Sequence, residues 1–157
     1  MIRVFTLILV VIGTFPVRAF DHVVENDNIR EAVIRYEITK YPQQASLFFV
    51  SVYDAKDGQE VDPSDELLNR FAGSKIRISK ASDSRIIKEQ GDIMVDKHSG
   101  AEGTLMSLGG IYRKGENSAE VAIYRAVRDN VGGGFKAFLE KKGGHWEVVK
   151  VETTWLP

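Results

Sequence analysis

The residues that could do chemistry in this 157-residue chain are few and scattered. His22, His98 and His145 are its only histidines, and no two stand at the i, i+4 spacing that lets one helix face grip zinc. With no cysteine there is no disulfide, thiol nucleophile or thiolate metal site. Asp54, Asp57, Glu60, Asp62 and Asp65 offer hard oxygen ligands. Lys56 at a ligand position and Gly58 one place early break the calcium-loop spacing, which leaves a solvated turn. Gly132-Gly133-Gly134-Phe135-Lys136-Ala137 matches a dinucleotide fingerprint in letters. That fingerprint needs a parallel strand before it and a helix after it, so that pyrophosphate meets a helix N-terminus; here strands are expected on both sides. Ser107 lacks the first glycine of a nucleophile elbow, and no serine has lysine three places on. The sequence implies neither a metal nor a cofactor.

Two kinds of site leave no local motif. A buried carboxylate can act as a base while tyrosines stabilise an oxyanion; Asp83 or Asp96 with Tyr112 and Tyr124 would supply these groups if their side chains turn inward. Alternatively these tyrosines are cross-strand packing residues and the aspartates belong to turns. A binding surface needs only aromatic anchors and a loop, for which Trp146, Trp155 and the glycines Gly132, Gly133 and Gly134 are the candidates.

The N-terminus has the three parts of a secretory signal. Arg3 opens it, Val4 to Phe15 is largely apolar, and Val17-Arg18-Ala19 offers small residues for cleavage before Phe20. The apolar run is shorter than the roughly 20 residues a membrane span needs. We therefore expect a signal peptide at residues 1–19, with an uncleaved N-terminal anchor as the alternative, one domain over 20–157, and a secreted or periplasmic location without a stable membrane span after cleavage. Arg3 and Arg18 leave with the signal, so 19 basic residues face 22 acidic ones. That balance argues against nucleic-acid binding, which needs clustered Lys and Arg to displace counterions.

These residues must be positioned by an α+β framework. Asn28 with Glu31 predicts a capped helix over Asn28–Tyr41, bearing Ile29, Ala32, Val33 and Tyr36 on one stripe and Ile34, Ile38 and Tyr41 on a second. Ala45–Tyr53 predicts a strand apolar on both faces. Asp62 as N-cap, with Pro63 at the first helical position, predicts a short helix through Leu67, Leu68 and Phe71. Short strands follow from Lys75, and then four longer ones: Thr104–Arg113, Ala119–Arg128, Phe135–Lys142 and His145–Thr154. Lys114–Asn117, Asn130–Gly134 and Gly143-Gly144 serve as their connectors. The expected architecture is both helices packed on a curved antiparallel sheet that ends in a four-stranded meander.

In element order, and in the final strand with Trp146-Glu147-Val148-Val149, the chain resembles the cystatin-like cone of the nuclear-transport-factor and ketosteroid-isomerase superfold. A strand between the two helices departs from the common order. Ile29-Arg30-Glu31-Ala32-Val33 with Arg35-Tyr36, Asp62-Pro63-Ser64-Asp65-Glu66-Leu67-Leu68 through Arg70-Phe71, Asp96-Lys97 with Gly100 and Gly103, and Trp146 with Trp155 also resemble a group of uncharacterised bacterial exported proteins. That likeness implies no activity. The resulting expectation is an exported, non-enzymatic binding module for a protein or small molecule. On this reading, deleting Gly132 to Gly134 weakens capture and spares stability. A cone-fold lyase, isomerase or hydrolase is the alternative, and a homo-oligomer that covers an open sheet face is a third possibility.

Overall fold

The computed structural model describes residues 17–41, 46–88, 92–128 and 131–156. The expected signal peptide therefore falls outside the described residues up to residue 16, as does Pro42. Val17, Arg18 and Ala19 begin helix α1, which runs Val17–Lys40.

Helix α1 continues through Asn28 instead of starting there. The Asn28–Glu31 pair is a tertiary contact, not a cap: Arg70 Nη1 donates to Asn28 Oδ1 at 2.8 Å and to Glu31 Oε2 at 2.9 Å. One strong guanidinium donor thus outcompetes the local capping geometry. Of the two predicted stripes Ile29, Val33, Ile34 and Ile38 are buried, whereas Ala32, Tyr36 and Tyr41 are half-buried. Helix α2, Asp65–Asn69, is capped by Ser64, whose hydroxyl accepts from the Leu67 N–H at 3.1 Å. Asp62, expected in that role, instead accepts from the backbone N–H and hydroxyl of Ser82.

Nine strands are found among the described residues: β1 Leu47–Asp54, β2 Gln59–Val61, β3 Arg77–Lys80, β4 Ser84–Ile87, β5 Ile93–Asp96, β6 Thr104–Arg113, β7 Ser118–Arg128, β8 Val131–Lys142 and β9 His145–Trp155. Strands β6 to β9 form the expected antiparallel meander. Strand β1 joins parallel to β6, pairing Phe48 with Thr104 through Val52 with Leu108, so the sheet is mixed. Its other side is covered by β3 at Leu47–Val50 and by β2 at Val52–Asp54. The fold class is α+β.

Alternation along the strands divides the sheet into two faces. The helix side carries Phe48, Val50, Val52, Met106, Leu108, Val121, Ile123, Ala137, Leu139 and Trp146, packed with the four α1 residues, Leu67 and Phe71. On the opposite side Leu47, Phe49 and Leu105 pack with Met94 of β5, which explains why β1 is apolar on both faces.

Gly132, Gly133 and Gly134 correct the loop expectation. They lie inside β8, paired with Ala126, Arg125 and Tyr124 of β7. A Cβ at Gly132 would approach the Arg125 carbonyl oxygen to 2.5 Å, and one at Gly134 would fall on the Trp155 indole. These glycines let a strand lie flat beneath crowded neighbours, the role glycine takes where other groups approach the backbone closely.

Candidate functional site

The outer face of the meander, turned away from α1, is partly open to solvent, and three rows of side chains cross it. Register places Ser51, Ser107, Tyr124, Gly134 and Trp155 in one row. The next holds Ala122, Lys136 and Glu152, and the third holds Tyr112, Glu120, Phe138 and Lys150. The outer rows are four residues apart along β7, about 14 Å at strand rise.

In the first row Tyr124 and Trp155 stack with ring centroids 5.9 Å apart and planes 23° apart. The missing side chain of Gly134 leaves space between the strands for the indole. Trp155 is 49 % exposed and Tyr112 is 64 % exposed, so each offers an aromatic surface to a partner. Between them Lys114 and Lys136 both reach the Glu120 carboxylate, and Lys150 lies 5.5 Å from the Phe138 ring centre. Hydrogen bonding from Lys114, opposed by partial desolvation and aided by the charges of Lys114 and Lys136, holds the Glu120 carboxyl below its usual range. The face is an aromatic surface with a charged, internally paired centre.

Of the residues singled out from sequence, Tyr124, Trp155 and the three glycines come together. Tyr112 shares their face. Trp146 does not: it is buried at the other end of β9 on the helix side, donating its indole N–H to Glu25 Oε1 at 2.8 Å. Asp83 lies in the 3₁₀ turn Ala81–Asp83. Asp96 accepts from the backbone N–H groups of Ser99 and His98, the Ser99 hydroxyl and Arg77. The Ser99 N–H is the leading cause that holds the Asp96 carboxyl below its usual range, which makes it a turn-forming anion. Neither aspartate is hydrogen-bonded to Tyr112 or Tyr124, and Ile29, Val33 and Ile34 of α1 pack in the buried core on the sheet.

Two polar groupings have no sequence signal. Ser51 and Ser107 are buried and 2.8 Å apart, and both hydroxyls contact Glu60 Oε2, at 2.9 and 3.1 Å. Only the register of β1 on β6 brings them together. On the helix side Glu37, with no exposed surface, faces Arg125 at 3.2 Å. The Arg125 guanidinium sits 4.2 Å from the Tyr41 ring centre and 4.0 Å from that of Phe135. Burial pushes the Glu37 carboxyl above its usual range despite the opposing pull of Arg125. Opposite charges separated by 88 residues gave no reason to pair them before the fold was known.

Two clefts are lined by charged groups, several of them paired with one another. A cleft of about 800 Å³ beside α1 is lined by Glu25, Arg113 and Lys141, but Lys141 bonds Glu25 and Arg113 bonds Asn26. A second, of about 350 Å³, is lined by Asp27, Arg30 and Ser64, which are likewise tied to one another. No cluster of three His, Cys, Asp or Glu side chains suited to a metal occurs among the described residues. No described helix is long and apolar enough to cross a membrane. No protein-family model matches the chain, and a search of curated proteins found no significant match.

Proposed function

We propose that this is an exported, non-enzymatic binding module that captures a protein partner on the outer face of its meander, with Trp155 and Tyr112 as anchors and Tyr124 as the support of Trp155. The observation that carries this reading is the exposure of two large aromatics on one face of a sheet whose other face is filled by the core. Tryptophan and tyrosine dominate the energetics of interfaces because they bury a large area at little entropic cost. A broad surface without an enclosed pocket suits a protein better than a small molecule, which needs concave burial. Export rests on the signal-like N-terminus.

The test is capture from a cell-envelope extract by immobilised protein, alongside Trp155→Ala and Tyr112→Ala. Both substitutions are on the surface and should change stability by no more than about 0.5 kcal/mol. Loss of the same captured protein by both variants, at unchanged melting temperature, supports the reading. Undiminished capture by both variants refutes it. Mature protein beginning at Phe20, found outside the cytoplasm, is the expected outcome for export; intact residues 1–19 on cytoplasmic protein would contradict it.

A further inference from the structure

Strand β9 is an edge strand among the described residues, paired only with β8. An 11-residue edge exposes a row of backbone donors and acceptors, which proteins usually blunt with charges and bulges. Here β9 is bulged at Val149, because Phe138 pairs with Lys150 while Leu139 pairs with Val148. The extra residue shifts the alternation by one. His145 and Glu147 before the bulge therefore share the outer face with Lys150 and Glu152 after it.

That shift makes the edge complementary to itself. We propose that β9 pairs antiparallel with β9 of a second copy of this chain, about a two-fold axis between Val148 and Val149. Two copies in this register set Glu147 of each beside Lys150 of the other, and His145 of each beside Glu152 of the other. Trp146 and Val151 meet on the helix side. The bulge also preserves hydrogen-bonding parity: Glu147 and Lys150 pair with Glu140 and Phe138, two residues apart on β8, so both present the same backbone pattern to the free side. Slipping the register by two residues loses the reciprocal Glu147–Lys150 pairs. The charges that discourage indiscriminate edge pairing thus select one partner and one register. Lys150 already contacts Glu152 of its own chain at 2.5 Å, but both side chains are about half exposed or more, and such pairs exchange readily. Trp155 lies beyond the paired stretch, whereas Lys150 and Glu152 belong both to this edge and to the rows of the outer face.

The experiment is sedimentation equilibrium of the purified protein over a wide concentration range at low salt. It is repeated for Lys150→Glu, for Glu147→Lys, and for an equimolar mixture of the two variants. Wild type should dimerise, and each variant alone should need at least tenfold higher concentration, because like charges then oppose across the axis. The mixture should recover dimers, since one chain carries two glutamates and the other two lysines at the facing positions. Circular dichroism and melting temperature confirm that each variant folds. A wild type that stays monomeric throughout, single variants that dimerise like wild type, or a mixture that remains monomeric would each overturn the proposal.

Discussion

Replacing Gly132 by alanine should destabilise the protein although the site lies in a run of three glycines. The added Cβ would come within 2.5 Å of the Arg125 carbonyl oxygen and 3.1 Å of the Tyr124 hydroxyl oxygen. The closer atom is backbone in a paired strand and cannot swing aside. Overpacking of this kind costs about 1–3 kcal/mol. Restricting the unfolded chain returns about 0.4–1 kcal/mol, because Gly132 already has ordinary negative φ. The net loss should be about 1–2 kcal/mol, a fall in melting temperature of roughly 2–8 °C for a domain of this size. Gly134→Ala makes the internal contrast. Its Cβ meets the Trp155 indole and, at 2.7 Å, the Thr154 hydroxyl, all side-chain atoms, and the half-exposed indole can rotate away. That variant should keep most of its stability while losing the near-ultraviolet dichroism of the Tyr124–Trp155 stack. Differential scanning calorimetry with near-ultraviolet dichroism reads both. A Gly132→Ala protein that melts at or above the wild-type temperature would refute this strand packing and restore the flexible loop.

Glu37→Gln should leave stability at pH 7 equal or higher, whereas Arg125→Ala should cost about 3–5 kcal/mol by stranding a buried carboxylate. The folded-state pKa of Glu37 is raised above its ordinary 4.5, so its contribution to stability is fully present below 4.5 and is lost as pH rises through the raised value. Urea titrations should therefore show wild type losing more stability than Glu37→Gln as pH is raised from 4 to 7; parallel curves would contradict this. Glu25 has the opposite sign. Burial pushes its carboxyl up, but hydrogen bonds from Lys141, Trp146 and Asn28 outweigh that and hold it below 4.5, so its contribution is present above 4.5 and lost as pH falls. In a Trp155→Phe background, acidification below 4.5 should red-shift Trp146 emission while the protein stays folded, and Glu25→Gln should show part of that shift at pH 7. Arg70→Ala removes donors to Asn28 and Glu31 and should cost about 1–2 kcal/mol by urea denaturation; no loss would mean that the contact is unimportant to the α1–α2 junction.

The long strands were legible because alternation and turn residues agree over ten or more positions, as in Thr104–Arg113, read with its observed bounds. The short helix was legible through Pro63, Asp65 and Glu66, but its cap was misread by two residues because Ser82, distant in sequence, claims Asp62. The glycine run misled for a physical reason. Glycine marks both flexible turns and strands pressed by neighbours, and only the positions of Arg125, Tyr124 and Trp155 separate the two cases. The stretches Asp27–Arg35 and Ser64–Phe71 bind each other. Arg70 bonds Glu31, Ser64 bonds Asp27, and Arg35 stacks on Phe71, so these residues build the frame. Trp146 and Trp155 were equivalent as letters, and burial alone divides them into a core residue and a surface anchor.

The most direct test of the outer-face account is hydroxyl-radical footprinting of the protein with and without its captured partner, read at single side chains by mass spectrometry. Trp155 and Tyr112 should lose reactivity when the partner binds, while His22 and Val24 on α1 react as before. Protection of α1 with Trp155 and Tyr112 unchanged would contradict it.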